Sequence, residues 1–201
     1  MMTSAEQIVN NALSGIAFYY RDTNLSEHEI QQYRVSRVFQ HPESLLLSDQ
    51  FGGLTTNTRY VIASAHAKDS EKNKFWIEKE AYFKVLDIMV VNQRTQILLL
   101  HLPVAAVEIF TTEQIPFEDK LLETSRQIFI EHTYQPVAAL QTEEWLAQTA
   151  APIGMNAKGE LHYNYEPQKP EQSTKKKVNQ YKKGANPKEK TTKSFWQRLF
   201  G

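Results

Sequence analysis

The stretch "AYFKVLDIMVVNQRTQILLLHLP", residues 81–103, decides the fold class. Two runs of β-branched and large apolar residues flank the short polar connection "NQRT". This spacing predicts a β-hairpin with arms 82–91 and 96–102. The connection lacks Asn-Gly, so the sequence leaves the register open. Both arms are apolar on both faces, which predicts a central place in a sheet covered by helices. Pro103 ends the second arm, because proline cannot donate to a ladder.

Upstream, "TRYVIASAHA" at 58–67 reads as a third strand. Tyr60, Ile62, Ser64 and His66 share one face. The other face holds Val61, Ala63, Ala65 and Ala67, small enough for a helix to pack closely. Gly52-Gly53 breaks the chain before this strand, and the charged "KDSEKNK" after it predicts a solvated loop. Two helices are expected nearer the start. Ser4 with Gln7 predicts a capping box opening a helix from 5 to about 20. Ser26 with Glu29 predicts another, from 27 to about 39, stopped near Pro42.

Downstream, "VAAVEIF" suits either a strand or a short helix. "IPFEDKLLETSRQIFIEHTYQP" predicts a helix with Pro116 in its first turn and Glu118 and Asp119 complementing its positive end. Thr142 caps a shorter helix, and 160–165 predicts a terminal strand. Strands and helices come in runs without strict alternation. The expected fold is therefore α+β, with a mostly antiparallel sheet of about four strands packed with helices. It occupies a single globular domain, residues 1–165.

The formal net charge of zero conceals a division. Residues 1–166 carry 13 basic and 21 acidic side chains, a net −8, whereas 167–201 carry 10 and 2, a net +8. Residues 166–193 are rich in Lys, Pro, Gln and Thr and too poor in apolar groups to offset chain entropy. They predict a disordered basic linker. The chain then ends in "SFWQRLFG", 194–201. Phe195 and Leu199, and Trp196 and Phe200, are four apart and share one side of a short amphipathic helix. So short a helix needs a surface to dock on.

These features predict a non-enzymatic cytoplasmic adaptor that docks through its tail. Phe195, Trp196, Leu199 and Phe200 are the anchors, Arg198 lies at the rim, and Lys175, Lys176, Lys177, Lys182 and Lys183 supply attraction. The target is a protein groove or an anionic membrane surface, with intramolecular docking on the acidic body as a third form. A membrane target would make the protein peripheral to a membrane. The N-terminal "MMTSAEQIVNNALSG" lacks the basic and apolar pattern of a secretory leader, and this supports the cytoplasmic expectation.

Two other classes compete. A small hydrolase-like enzyme could use His66, His101 and Asp87 for acid–base work, if the sheet brings them together. The lysine clusters could bind nucleic acid, although no recognition motif accompanies them. With no cysteine in the chain, disulfides, thiolate metal sites and cysteine nucleophiles are excluded. No zinc spacing occurs among the six histidines. "FGGLTTNT" lacks phosphate-loop spacing, and no GxSxG elbow exists. No metal or cofactor is expected.

Overall fold

The computed structural model describes residues 4–51, 55–112, 115–132, 137–161 and 163. The hairpin forms as expected: β7 (Ala81–Val91) pairs antiparallel with β8 (Arg94–Leu102). Its connection is a tight turn in which Asn92 and Gln93 both take positive φ, 49° and 64°. That is the backbone a twisted two-residue hairpin requires.

The sheet around the hairpin is larger than the four strands expected. Among the described residues it has eight, in the order β2-β7-β8-β4-β1-β3-β6-β5, and it is mixed, because β4 (Thr58–Ser64) runs parallel to β8. The additional strands come from segments read otherwise. Helix α1 (Ser4–Leu13) stops at Gly15, whose φ of 72° ends it, and "AFYYRDT" becomes β1 (Ala17–Thr23) instead of continuing to residue 20. The capping box of α2 (Glu27–Gln32) forms as expected. The helix ends earlier than 39, and Val38–His41 is drawn into pairing with β7 as β2. Leu45–Ser48 forms β3. The expected charged loop is a hairpin, β5 (Lys68–Glu71) and β6 (Lys74–Ile77), turned at Asn73 with φ 62°. Except in the β5–β6 hairpin, whose pairing is local, a remote partner strand supplied hydrogen bonds that outweighed local preference.

Helices α3 (Val107–Thr112), α4 (Pro116–His132) and α5 (Glu143–Gln148) complete the described elements. Thr142 caps α5 through a 3.2 Å bond to the Trp145 N–H. Of the expected strand 160–165, residues 162, 164 and 165 lie outside the described residues, and Leu161 forms an isolated bridge with Met155.

The chain connections force the sheet to curl. β2 and β3 stand five places apart, about 24 Å in a flat sheet, yet only residues 42–44 join them. Four extended residues reach about 14 Å. Residues 78–80 impose the same constraint between β6 and β7, also five places apart. The inner face of the curl buries Phe39, Leu45, Leu47, Tyr60, Ile62, Ile77, Phe83, Ile97 and Leu99. On the outer face Val61 and Ala63 pack with Val9 and Ala12 of α1, so the small face does take a helix. Two ion pairs pin α4 to β7: Lys84–Glu118 at 2.8 Å and Arg126–Asp87 at 2.7 Å.

A strap, residues 149–161, runs across the inner side of the curl. Ile153 is fully buried. Gly154 holds φ 81°, and a Cβ there would sit 2.4 Å from the Phe39 ring. Gly154→Ala is therefore expected to cost about 2–4 kcal/mol, from overpacking and a left-handed backbone together. A urea midpoint unchanged from the parent would refute this.

Candidate functional site

The sheet brings together two of the three expected acid–base residues. His66 and His101 rings lie 6.1 Å apart, edge to face. Ser64 Oγ accepts the His66 backbone N–H at 3.1 Å and bonds His101 Nδ1 at 2.8 Å. Burial, with His66 nearby, pushes the His101 pKa down to about 4. Asp87 is not part of this group. Phe83 is the residue opposite His101, and Asp87 lies four positions along β7, about 13 Å away. Both its oxygens are taken by Arg126 at 2.7 Å. Ser64 is fully buried, whereas His66 is exposed. The fold therefore places His66 and His101 together and Asp87 apart from them.

The tail residues, Lys175–Lys177, Lys182, Lys183, Phe195, Trp196, Arg198, Leu199 and Phe200, lie outside the described residues. Among the described residues no helix is long and apolar enough to cross a membrane. No cluster of three or more potential metal ligands occurs among them.

A different site forms where the strap meets the corner between β2 and β3. It surrounds a cleft of about 390 Å³ lined by His41, Pro42, Glu43, Glu29, Ala151, Pro152 and Asn156, among others. Behind its wall stands Arg21 of β1, only 5% exposed. Arg21 Nη1 donates to the Leu46 carbonyl at 3.3 Å and Nη2 to the Ala151 carbonyl at 3.1 Å. Its Nε has no partner among the described residues. Burial lowers its pKa to about 10, opposed by Tyr60, Tyr33 and Glu43.

The neighbouring residue shows what a satisfied buried charge looks like here. Asp22, on the opposite face of β1, binds Arg59 on β4 with two bonds of 2.7 and 2.6 Å. The Arg59 guanidinium also lies 5.6 Å from the centre of the Tyr20 ring. Arg59 thus has a carboxylate and an aromatic face, whereas Arg21 has neutral carbonyls. Bidentate carboxylate or phosphate oxygens are the stronger partners of a guanidinium.

His41 completes the cleft. Its Nδ1 accepts the Gly154 N–H at 3.0 Å, so the neutral ring carries its proton on Nε2. Burial and then the Arg21 charge push its pKa down to about 4. Two tyrosines fix the strap beside it. Tyr33 OH donates to the Ile153 carbonyl at 2.6 Å, and Tyr60 OH accepts the Ile153 N–H at 3.3 Å. The two hydroxyls are 2.6 Å apart, so Tyr60 donates to Tyr33.

Sequence reasoning missed this site because Arg21 and His41 fell just past and within segments read as helix or its stop. The usable signal was the alternation in "FYYRDT", which puts Arg21 and Asp22 on opposite faces of a strand.

No protein-family model matches the chain, and no curated protein matches it. Solved structures do show a likeness. The chain is similar to the Vis toxin, an ADP-ribosyltransferase from Vibrio splendidus, at 15% identity and TM-score 0.38, over 45% of this chain and 50% of that one. It is similar to C3larvin, an ADP-ribosyltransferase toxin from Paenibacillus larvae, at 12% identity and TM-score 0.36, over 50% and 73%. A third is the type III effector XopAI from Xanthomonas axonopodis pv. citri, at 10% identity and TM-score 0.39, over 45% and 43%. The match with the first of these spans about half the length of that structure. These findings stand against the expected non-enzymatic adaptor and its protein-binding, peripheral-membrane description, because the Vis and C3larvin structures are of enzymes. At this degree of likeness no residue's role is carried over from them.

Proposed function

We propose that the chain is an enzyme acting on a substrate that carries a phosphate-type anion, bound in the cleft between the strap and the corner of β2 and β3. The observation that supports this most is Arg21, a buried guanidinium bonded to neutral carbonyls and with an N–H to spare. Its positive field reaches the cleft, since it depresses the His41 pKa. An anion entering there would be attracted by Arg21 and would accept the His41 Nε2–H. Because Nδ1 is already engaged by the Gly154 N–H, the ring meets that anion as a neutral Nε2–H donor. Glu43, on the cleft wall, is a carboxylate within the same space.

Binding is testable by amide NMR with inorganic phosphate, AMP and ADP-ribose as probes. ADP-ribose is included because the Vis and C3larvin structures are named for transferring it. Saturable shifts confined to His41, Glu43 and Ala151–Gly159 are the expected result. His41→Gln is expected to weaken the best probe about tenfold, the effect of losing one hydrogen bond to a charged group. If none of the three probes moves these resonances, the reading fails.

A further inference from the structure

We infer that Ala150–Pro152 is a gate over Arg21. Its Ala151 carbonyl occupies the guanidinium in the closed form, and the substrate phosphate takes that carbonyl's place in the open form. The inference rests on the anion-binding reading above and adds a regulation of the same site.

The strap is held unevenly. On one side of the gate, Thr149 is fully buried and donates to the Asp22 carbonyl at 3.1 Å and to Trp145 O at 2.9 Å. On the other, Ile153 is fully buried and bound by both tyrosines, and Gly154 is bound to His41. These are two fixed points. Between them Ala150 and Ala151 are exposed and Pro152 is half-buried. Among the described residues, no backbone–backbone hydrogen bond outside the regular elements involves these three. Two side chains hold them: Thr23 Oγ1 donates to Ala150 O at 2.7 Å, and Arg21 Nη2 to Ala151 O at 3.1 Å.

The chemistry of the closed form favours exchange. A buried cation gains less from a neutral carbonyl than from an anion, and the unpartnered Nε leaves one donor waiting. Opening the gate exposes little apolar surface, because its first two side chains are single methyl groups that already face solvent. Ala151 and Pro152 also line the cleft, so their displacement joins the cleft directly to the guanidinium. The ligand class that fits is a terminal or bridging phosphate, able to accept from Nη2 and Nε together.

A gate that competes with the ligand lowers apparent affinity by the fraction of molecules open. Weakening it must therefore tighten binding. Thr23→Val removes the bond to Ala150 O and keeps the side-chain shape. Losing one such bond is expected to tighten ADP-ribose binding about two- to tenfold, by calorimetry. Amide exchange at Ala151 should accelerate while Gly154 stays unchanged. Should Thr23→Val not fold, Pro152→Gly loosens the same segment through its backbone. If wild type binds and the variant binds equally or more weakly, the gate is wrong and the anion site stands. If neither binds any phosphate-bearing probe, the site itself is wrong, and the gate with it.

Discussion

Between pH 6.5 and about 4 the protein is expected to lose about 6 kcal/mol of stability, roughly 3 from each of two buried histidines. His41 and His101 both have pKa values pushed from 6.5 down to about 4, chiefly by burial. Arg21 adds to the effect at His41, and His66 at His101. In the unfolded chain each ring takes a proton below about pH 6.5. In the folded protein it does so only near pH 4. Within that window the unfolded state binds more protons, so stability falls as pH falls, and the loss is complete below the folded values. Set against a typical domain stability of about 5–15 kcal/mol, this is enough to bring acid unfolding into the window. Urea denaturation at half-unit pH steps provides the check. His41→Gln and His101→Asn should each remove about half of the slope. A free energy of unfolding that stays level from pH 6.5 to 4.5 would contradict the assignment.

Asp22→Ala is expected to destabilise the fold by about 3–5 kcal/mol, because it strands the Arg59 guanidinium in the core without its counter-ion. Both partners are 2% exposed, and the two bonds between them are 2.7 and 2.6 Å. Removing both charges tells a different story. Asp22→Ala with Arg59→Met should recover much of the loss, since a buried pair gains little over apolar groups of similar volume. If the double variant is no more stable than Asp22→Ala alone, the pair is not acting as a compensated charge. The comparison bears on Arg21 as well. Arg21 sits next to Asp22 on β1, is about as deeply buried, and forms no ion pair among the described residues.

The hairpin of β7 and β8 was legible because its residues decide it locally: β-branched and apolar arms, a short polar turn and a closing proline. So were α4, with acidic residues in its first turn, the capping box of α2 and the threonine cap of α5, where hydrogen bonds form within four residues. Apart from β5, whose partner β6 is its neighbour in the chain, the strands that escaped notice are the ones whose partners are distant. β1 lies between β4 and β3, and Tyr20 meets both Val61 and Ser48. β2 is held by β7, more than 40 residues further on. Nothing within "VFQH" or "IAFYYRDT" reveals those partners. The placement of His66, His101 and Asp87 was out of reach for the same reason. The sheet placed His66 beside His101 through a parallel pairing of β4 and β8, while a bulge between Val85 and Asp87 accompanied the turn of Asp87 toward Arg126.

The amino-acid sequence by itself determined the α+β class, the central hairpin, most helix starts and the division of charge between residues 1–166 and 167–201. Those follow from periodicity, capping chemistry and composition, which act over a few residues. Only the tertiary structure decided the eight-stranded order, the curl forced by two three-residue connections, and the cleft at its inner side. Those depend on which remote strands share hydrogen bonds, and on a strap that carries Ala151 to Arg21 across 130 residues of chain.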